Sequence, residues 1–386
     1  MNKRIISIDL VRGVIMLLMA VDHVRVYSGL PAGGPGAGIF FTRWITHFCV
    51  PGFVFFAGTG AYLYGKKTGD RAGLARFLAL RGLFLVLLEL TLIRWSWTFN
   101  WNYSQFTLAG VIWMLGWCMI LLAALVRWPA ATVGIIGLAV AFGQQAFGWM
   151  GNRLPVSVRP LWDFLYPTST EPWPQLSILY TIVPWIGVMA AGYGFGTIMT
   201  SEPAVRRRLC LRIGLSATLL FVLIAGGILL WGPAPAAAHP LPPLFRLLNQ
   251  QKYPASQLYL LMTLGPLIAL LPAAEKWGAG LSPTGPSGGG LARIVLIFGR
   301  VPLFYYLLHI PLIHASALVV NYLRDGVTHS GWYATAPYDW VPEAQRWTLG
   351  LLYAVWLADI VLLYFVCRWY ARYKAAHPEN KGLKYL

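Results

Sequence analysis

Charge is scarce in this chain. Only 11% of its 386 residues are charged, whereas soluble domains carry about a quarter. With 58% hydrophobic residues and a mean hydropathy of +0.61, the composition excludes an ordinary soluble globular protein. Acidic residues are fewest, 13 against 30 basic ones, giving a net charge of +17. Such an excess raises the question of nucleic acid, but no basic soluble segment is present to hold a duplex. The basic residues cluster instead in alternate loops, as the positive-inside rule requires, so nucleic acid is not expected as a partner. Cysteine is limited to Cys49, Cys118, Cys210 and Cys367, each in or beside an apolar run. No CxxC or Cys/His ligand spacing occurs, which argues against a disulfide framework and against a metal site. The chain also lacks a Walker loop, a Ser-centred nucleophile elbow and a glycine fingerprint following a strand. Internal repeats are not evident.

What is there is a series of apolar runs, each long enough to span a bilayer. Ten fit, near 5–27, 44–65, 80–98, 106–126, 130–148, 176–200, 211–232, 256–274, 294–322 and 347–368. The predicted fold is all-α: a polytopic transmembrane helix bundle forming a single membrane-embedded domain over 1–386, with a basic tail from about 369. The first run is too long, too charged and too poor in small residues at its end for a cleavable signal. With the N-terminus inside, 19 of the 30 basic residues, Lys3, Arg4 and Arg81 among them, fall on the cytoplasmic side and nine on the outer side. That places both termini in the cytoplasm, in a bacterial-type inner membrane. The outer segments 148–175, with Trp149, Trp162 and Trp173, and 323–346, with Trp332, Tyr333, Tyr338 and Trp340, are rich in aromatics. Such rings serve as interfacial anchors or as a platform for a polar substrate such as a sugar. The stretch 278–290, rich in Gly, Pro and Ser, reads as a flexible inner loop.

The first run carries four ionisable groups at Asp9, Arg12, Asp22 and His23. Eleven residues make three helical turns plus about 20°, so Arg12 and His23 share one face roughly 16 Å apart. Asp9 lies one turn from Arg12. Groups of this kind are costly in hydrocarbon unless they pair or line a wet cavity. An arginine at the inner mouth suits an anionic ligand arriving from the cytosol, and a histidine toward the outside suits general-base work. A structural alternative stands beside this, with Asp9–Arg12 a simple ion pair and His23 a packing residue. Asp22 and Arg25, three residues apart, can pair beside it.

Other candidates follow along the chain. His47, near the outer end of the second run, has a depth comparable to His23, and Gly58 and Gly60 permit close helix packing. In the ninth run Tyr305 and His309 stand one turn apart with Tyr306 beside them, and Arg300 precedes Pro302. A helix broken there could hold phosphate through its cation and freed backbone groups; hydrogen bonding within a kinked helix is the alternative. Glu89 and Asp359 are expected to neutralise basic partners elsewhere. The glycines of the run Pro184–Gly196 suit packing, or room for a slender ligand such as a pantetheine chain.

Four motifs are familiar together: Ser7-Ile-Asp9-Leu-Val-Arg12-Gly13, Pro51-Gly-Phe-Val-Phe-Phe-Ala-Gly58, Pro184-Trp185-Ile-Gly187-Val-Met, and Gly299-Arg-Val-Pro-Leu-Phe-Tyr-Tyr-Leu-Leu-His309. In this order they resemble the heparan-α-glucosaminide N-acetyltransferase-like membrane family, over residue 5 to about 370. The Arg-x10-His arrangement of Arg12 and His23 is also similar to the wider membrane acyltransferase superfamily. The resemblance implies transfer of an acyl group, usually acetyl, from cytosolic acyl-CoA to an acceptor on the other face. By it, Arg12 engages acyl-CoA and His23 is the base. Lysosomal members place an asparagine at the position of His23 and a histidine in the following loop. Here loop 28–42 has no histidine, so the base is His23 or His47, and the acceptor can be a sugar hydroxyl as well as an amine.

The expectation is therefore an acyl-CoA-dependent acetyltransferase with acetyl-CoA as co-substrate and no metal, acting on a sugar or glycan acceptor. The candidate catalytic set is His23, His47 and Asp22. Arg12, Asp9, Arg300, Tyr305 and His309 form the candidate donor-binding set. Membrane lipid surrounds the bundle, and a homodimer is compatible with the sequence. The rival reading is a proton-coupled transporter or flippase with the buried His, Asp and Glu as a relay; the missing inverted repeat counts against it.

Overall fold

The computed structural model describes residues 5–104, 107–167, 176–233, 241–281, 290–335 and 341–385. Lys3, Arg4, Trp173, Tyr338, Trp340 and positions 282–289 of the inner Gly/Pro/Ser stretch lie outside them. Helices overlie every expected run. They are α1 (Ile6–Tyr27), α2 (Ala37–Trp44), α3 (Cys49–Thr68), α4 (Arg71–Leu88), α5 (Arg94–Thr98), α6 (Val111–Leu125), α7 (Ala130–Phe142), α8 (Gln145–Gly151), α9 (Arg159–Trp162) and α10 (Ile182–Met199). The second half adds α11 (Pro203–Trp231), α12 (Pro243–Leu248), α13 (Gln257–Trp277), α14 (Leu291–Arg300), α15 (Pro302–Asp325) and α16 (Leu349–Ala376). Among the described residues the one sheet is a short parallel pair, Thr107–Ala109 with Leu176–Ile178.

Among the described residues, six helical segments are long and apolar enough to cross a membrane: Ala37–Thr68, in which α2 and α3 run on, then α10, α11, α13, α15 and α16. The pair α7–α8, bent by 61°, makes a seventh if it counts as one span. The first helix is long enough at 22 residues, but Asp9, Arg12, Asp22 and Arg25 interrupt its apolar character. The lipid-side character is clearest on α11, where Leu215, Leu219, Leu223, Leu230 and Trp231 are exposed.

Local chemistry sets the helix limits. Gly69, at φ +68°, closes α3 in the left-handed region, which glycine adopts without Cβ strain. Asp70 then caps α4 by accepting from the Gly73 amide at 2.8 Å, and Ser256 caps α13 through Tyr259 N at 3.1 Å. Between α4 and α5 the chain widens into one π-helical turn, Glu89–Ile93.

The ninth expected run, 294–322, is not one span. It breaks at Val301 (φ −128°, ψ 50°), because Pro302 lacks an amide proton and disfavours helical geometry in the residue before it. The two pieces pass α1 in opposite senses. Gly13 meets Val295 while Gly299 meets Asp9, so α14 runs antiparallel to α1. Tyr305 meets Met16 and His309 meets His23, so α15 runs parallel to it.

Close approach through small residues builds the rest, as expected where lipid supplies no hydrophobic drive between helices. Gly58 of α3 lies against Met189 O of α10, and Gly192 of α10 lies against Phe55 O of α3. Gly187 faces Gly137 O of α7. The glycine face of α10 is thus filled by neighbouring helices and provides no channel for a pantetheine chain.

A Cβ at Gly299 would overlap the Asp9 carbonyl, whereas one at Gly226 meets nothing within 4 Å. Gly299→Ala is expected to destabilise the bundle by about 1–3 kcal/mol through overpacking, and Gly226→Ala to leave it unchanged. Thermal unfolding of the two purified variants checks the contrast.

Candidate active site

The parallel run of α15 beside α1 makes the polar centre of the molecule. Tyr305 Oη donates to Met16 O at 3.0 Å, and its ring stacks on His309 at 5.1 Å. His309 is fully buried. Its Nδ1 lies 2.7 Å from Tyr306 O, and its Nε2 lies 2.6 Å from His23 Nδ1. The two imidazoles stack with centroids 4.8 Å apart. Trp97 meets the edge of His23 at 5.0 Å, and one turn on His314 packs on Tyr27 at 4.9 Å.

These contacts assign the protons. A backbone carbonyl only accepts, so His309 Nδ1 carries a proton and donates it to Tyr306 O. The neutral ring then presents Nε2 as acceptor, and His23 donates its Nδ1–H to it. What is left on His23 is a basic Nε2, and among the described residues no hydrogen bond is made to it. His23 is half-buried rather than enclosed.

On the same side of α1, toward its N-terminus, a cavity of about 330 Å³ opens between α1, α3, α4, α6 and α15. Arg12 and Arg81 contribute two cations to its wall, Phe53, Ala57, Leu115 and Met119 its apolar lining, and Tyr306 its flank toward the imidazoles. The Tyr306 ring meets His309 at 5.1 Å and His23 at 6.5 Å, and among the described residues its hydroxyl makes no hydrogen bond. Arg12 is held in place by Asp9 at 3.8 Å and by donation to Phe56 O. Gly60 makes room for it, since a Cβ there would lie 3.0 Å from Arg12 Nη2.

The sequence candidates therefore divide. Arg12 and Asp9 share the cavity end; His23, His309 and Tyr305 share the centre. His309 is the neighbour of the imidazole His23, and neither ring is part of the cavity wall, which Tyr306 separates from them. Arg300 sits at the end of α14 beside the break and does not line the cavity.

Asp22 turns away from the imidazoles and pairs with Arg25 at 3.0 Å and with Arg43 at 3.8 Å. His47 joins that outer group. Its Nδ1 donates to Arg43 O at 3.0 Å and its own carbonyl accepts from Tyr259 Oη at 2.7 Å; no hydrogen bond or ring contact links it to His23 among the described residues. Lys252 completes the group, 5.2 Å from the centre of the Tyr253 ring. Burial raises the Tyr253 phenol, but the Lys252 ammonium and the Arg43 guanidinium outweigh it and hold the group below its ordinary value.

Two expected ion pairs take another form. Among the described residues Glu89 meets no basic side chain. Its carboxylate accepts from the amides of Ile112 at 2.9 Å and Trp113 at 3.2 Å, capping the N-terminus of α6 where unpaired amides favour an anion. Asp359 accepts from Ser316 Oγ at 2.7 Å. Arg81 and Tyr306 are the cavity residues that sequence reasoning left out of its site. The signal for Arg81 was a single cation inside the apolar run Leu78-Ala-Leu-Arg81-Gly-Leu-Phe-Leu.

A bundle of long apolar helices with a cationic cavity and an imidazole pair among them defines a multi-pass membrane protein. The family profile described as "Heparan-alpha-glucosaminide N-acetyltransferase, catalytic" matches residues 4–231, more than half of the chain, and the chain belongs to that family of membrane acetyltransferases. No curated protein matches the chain.

Glu89→Ala strips the α6 amides of their acceptor in a buried setting. The expected cost is about 1–3 kcal/mol, read as a lower unfolding midpoint, with Glu89→Gln losing less.

Proposed function

We propose that the protein moves an acetyl group from cytosolic acetyl-CoA to a hydroxyl or amine of a sugar or glycan acceptor at the outer face, with His23 as general base. In this reading the bundle crosses the inner membrane ten times and both termini are cytoplasmic. The observation that carries it is the His23–His309 contact, joined through the Tyr306 ring to a cavity with two arginines in its wall. Family membership supports the acetyl chemistry.

The steps follow from the residues. Arg12 and Arg81 attract the phosphates of the donor, guanidinium being suited to such groups. The apolar stretch of the cavity takes the thioester arm and excludes water. His23 Nε2 removes the proton of the acceptor as its oxygen or nitrogen attacks the thioester carbonyl. The Tyr306 hydroxyl, with no partner of its own, donates to the oxyanion that develops. Collapse breaks the C–S bond, and the protonated His23 returns its proton to the CoA sulfur. Throughout, His309 keeps the ring of His23 oriented through Nδ1, so the same nitrogen takes and gives the proton. Attack of His23 Nε2 on the thioester carbonyl, with the C–S bond broken and CoA released before the acceptor takes the acetyl group from the ring, is the two-step alternative.

His23→Ala is expected to lower kcat by about 10²–10⁴, the range of a general base, in a protein that still folds. His309→Ala should lower kcat with little change in the KM for acetyl-CoA, and Arg81→Gln should raise that KM. Purified protein, acetyl-CoA and a panel of amino sugars and glycans provide the assay, with release of free CoA as readout. Full activity of His23→Ala refutes the base assignment. Substrate flux driven by a proton gradient without CoA release would establish the transporter reading instead.

A further inference from the structure

The reaction just described leaves the outer polar group unused. Arg25 and Arg43 pair with Asp22, and the Lys252 charge acts on Asp22, His23 and His47 from the same outer side. Asp22 is already committed to Arg25 and Arg43. Lys252 is only 7% exposed, yet among the described residues its ammonium meets no carboxylate and no hydrogen-bond acceptor. It lies over two ring faces, 5.8 Å from the centroid of Tyr180 and 5.2 Å from that of Tyr253, and those phenols bond to each other at 3.2 Å. Ring faces offset only part of the cost of desolvating an ammonium. Three cations against one carboxylate leave a two-charge excess, beside a tyrosine that is 40% exposed and an aspartate still 19% exposed. Asp22 precedes His23 in α1 but faces another way, so the excess lies at the same level of the helix as the imidazole pair and around its side.

We propose that Lys252, with Arg43, forms a subsite for an anionic oxygen group (carboxylate, phosphate or sulfate) carried by the acceptor. Its place in a reaction rests on the acyl-transfer reading; the binding itself does not. An anion there would complete the charge balance around Asp22 and hold the attacking atom of the acceptor toward His23. If the cluster were only a tie between α1, α2 and the segment before α13, replacing Lys252 would cost stability without changing preference among acceptors.

The test uses the full-length protein and four matched methyl glycosides: a neutral hexosamine, and the same ring bearing a 6-carboxylate, 6-phosphate or 6-sulfate. Binding is measured calorimetrically without donor, and acetyl transfer separately from labelled acetyl-CoA. At least one anionic probe should bind about tenfold tighter than the neutral one, and which of the three does so names the source of the charge. Lys252→Gln should reduce that ratio about tenfold and Lys252→Arg should keep most of it. Equal binding of charged and neutral probes by the wild type overturns the proposal, as does an unchanged ratio in a folded Lys252→Gln variant. Should that variant fail to fold, the wild-type ratio and its fall with ionic strength decide. Lys252-dependent anion binding without transfer would retain the subsite and defeat the transferase reading; transfer indifferent to charge would do the reverse.

Discussion

A neutral imidazole inside a helix bundle has one N–H to give and one nitrogen to offer, and hydrocarbon supplies neither partner. Here the first gift fixes all the others. Tyr306 O can only accept, so the proton of His309 sits on Nδ1; Nε2 must then accept, so the proton of His23 sits on Nδ1 as well. The order runs from a backbone carbonyl to a half-buried ring without any ionised group. It depends on α15 lying parallel to α1, with Tyr305 bonded to Met16 O a turn earlier. That alignment depends in turn on the break at Val301, which lets α14 pack antiparallel to α1 by glycine contact while α15 sets off afresh.

Much of this was legible in the sequence, and the part that was not has a common cause. Helical periodicity is a property of one segment, so it put Arg12 and His23 on a shared face and marked Tyr305 and His309 as one turn apart. It holds no information about which segments meet. His309 was accordingly assigned to the donor, although its ring nitrogen lies 2.6 Å from His23 across 286 positions of chain. His47 was matched to His23 by depth alone, but equal depth on neighbouring helices leaves the facing undetermined, and His47 faces Arg43 and Tyr259.

Charge counting has a similar limit. It puts Arg81 among the cytoplasmic cations but holds no information that this one lines a cavity together with Arg12. Glu89 was expected to seek a basic side chain; the amides opening α6 satisfy it as well, and a helix terminus has no signature in a charge count. The break before Pro302 was readable as a kink, but its consequence, two helices passing α1 in opposite senses, required the glycine contacts to be seen.

The form of the cavity bears on which chemistry the centre can support. A proton relay needs titratable groups at hydrogen-bonding intervals from one side to the other. Among the described residues, the cavity wall is apolar apart from Arg12, Arg81, Tyr64 and Tyr306, and no carboxylate or imidazole lines it. Such a wall interrupts proton movement and favours an uncharged chain. On the proposed reading, a thioester arm with phosphates at one end would present anionic groups to the arginines, an uncharged length to the wall, and its acyl end toward His23. The polar groups here are therefore better matched to the two ends of one extended donor than to successive stations of a moving ion.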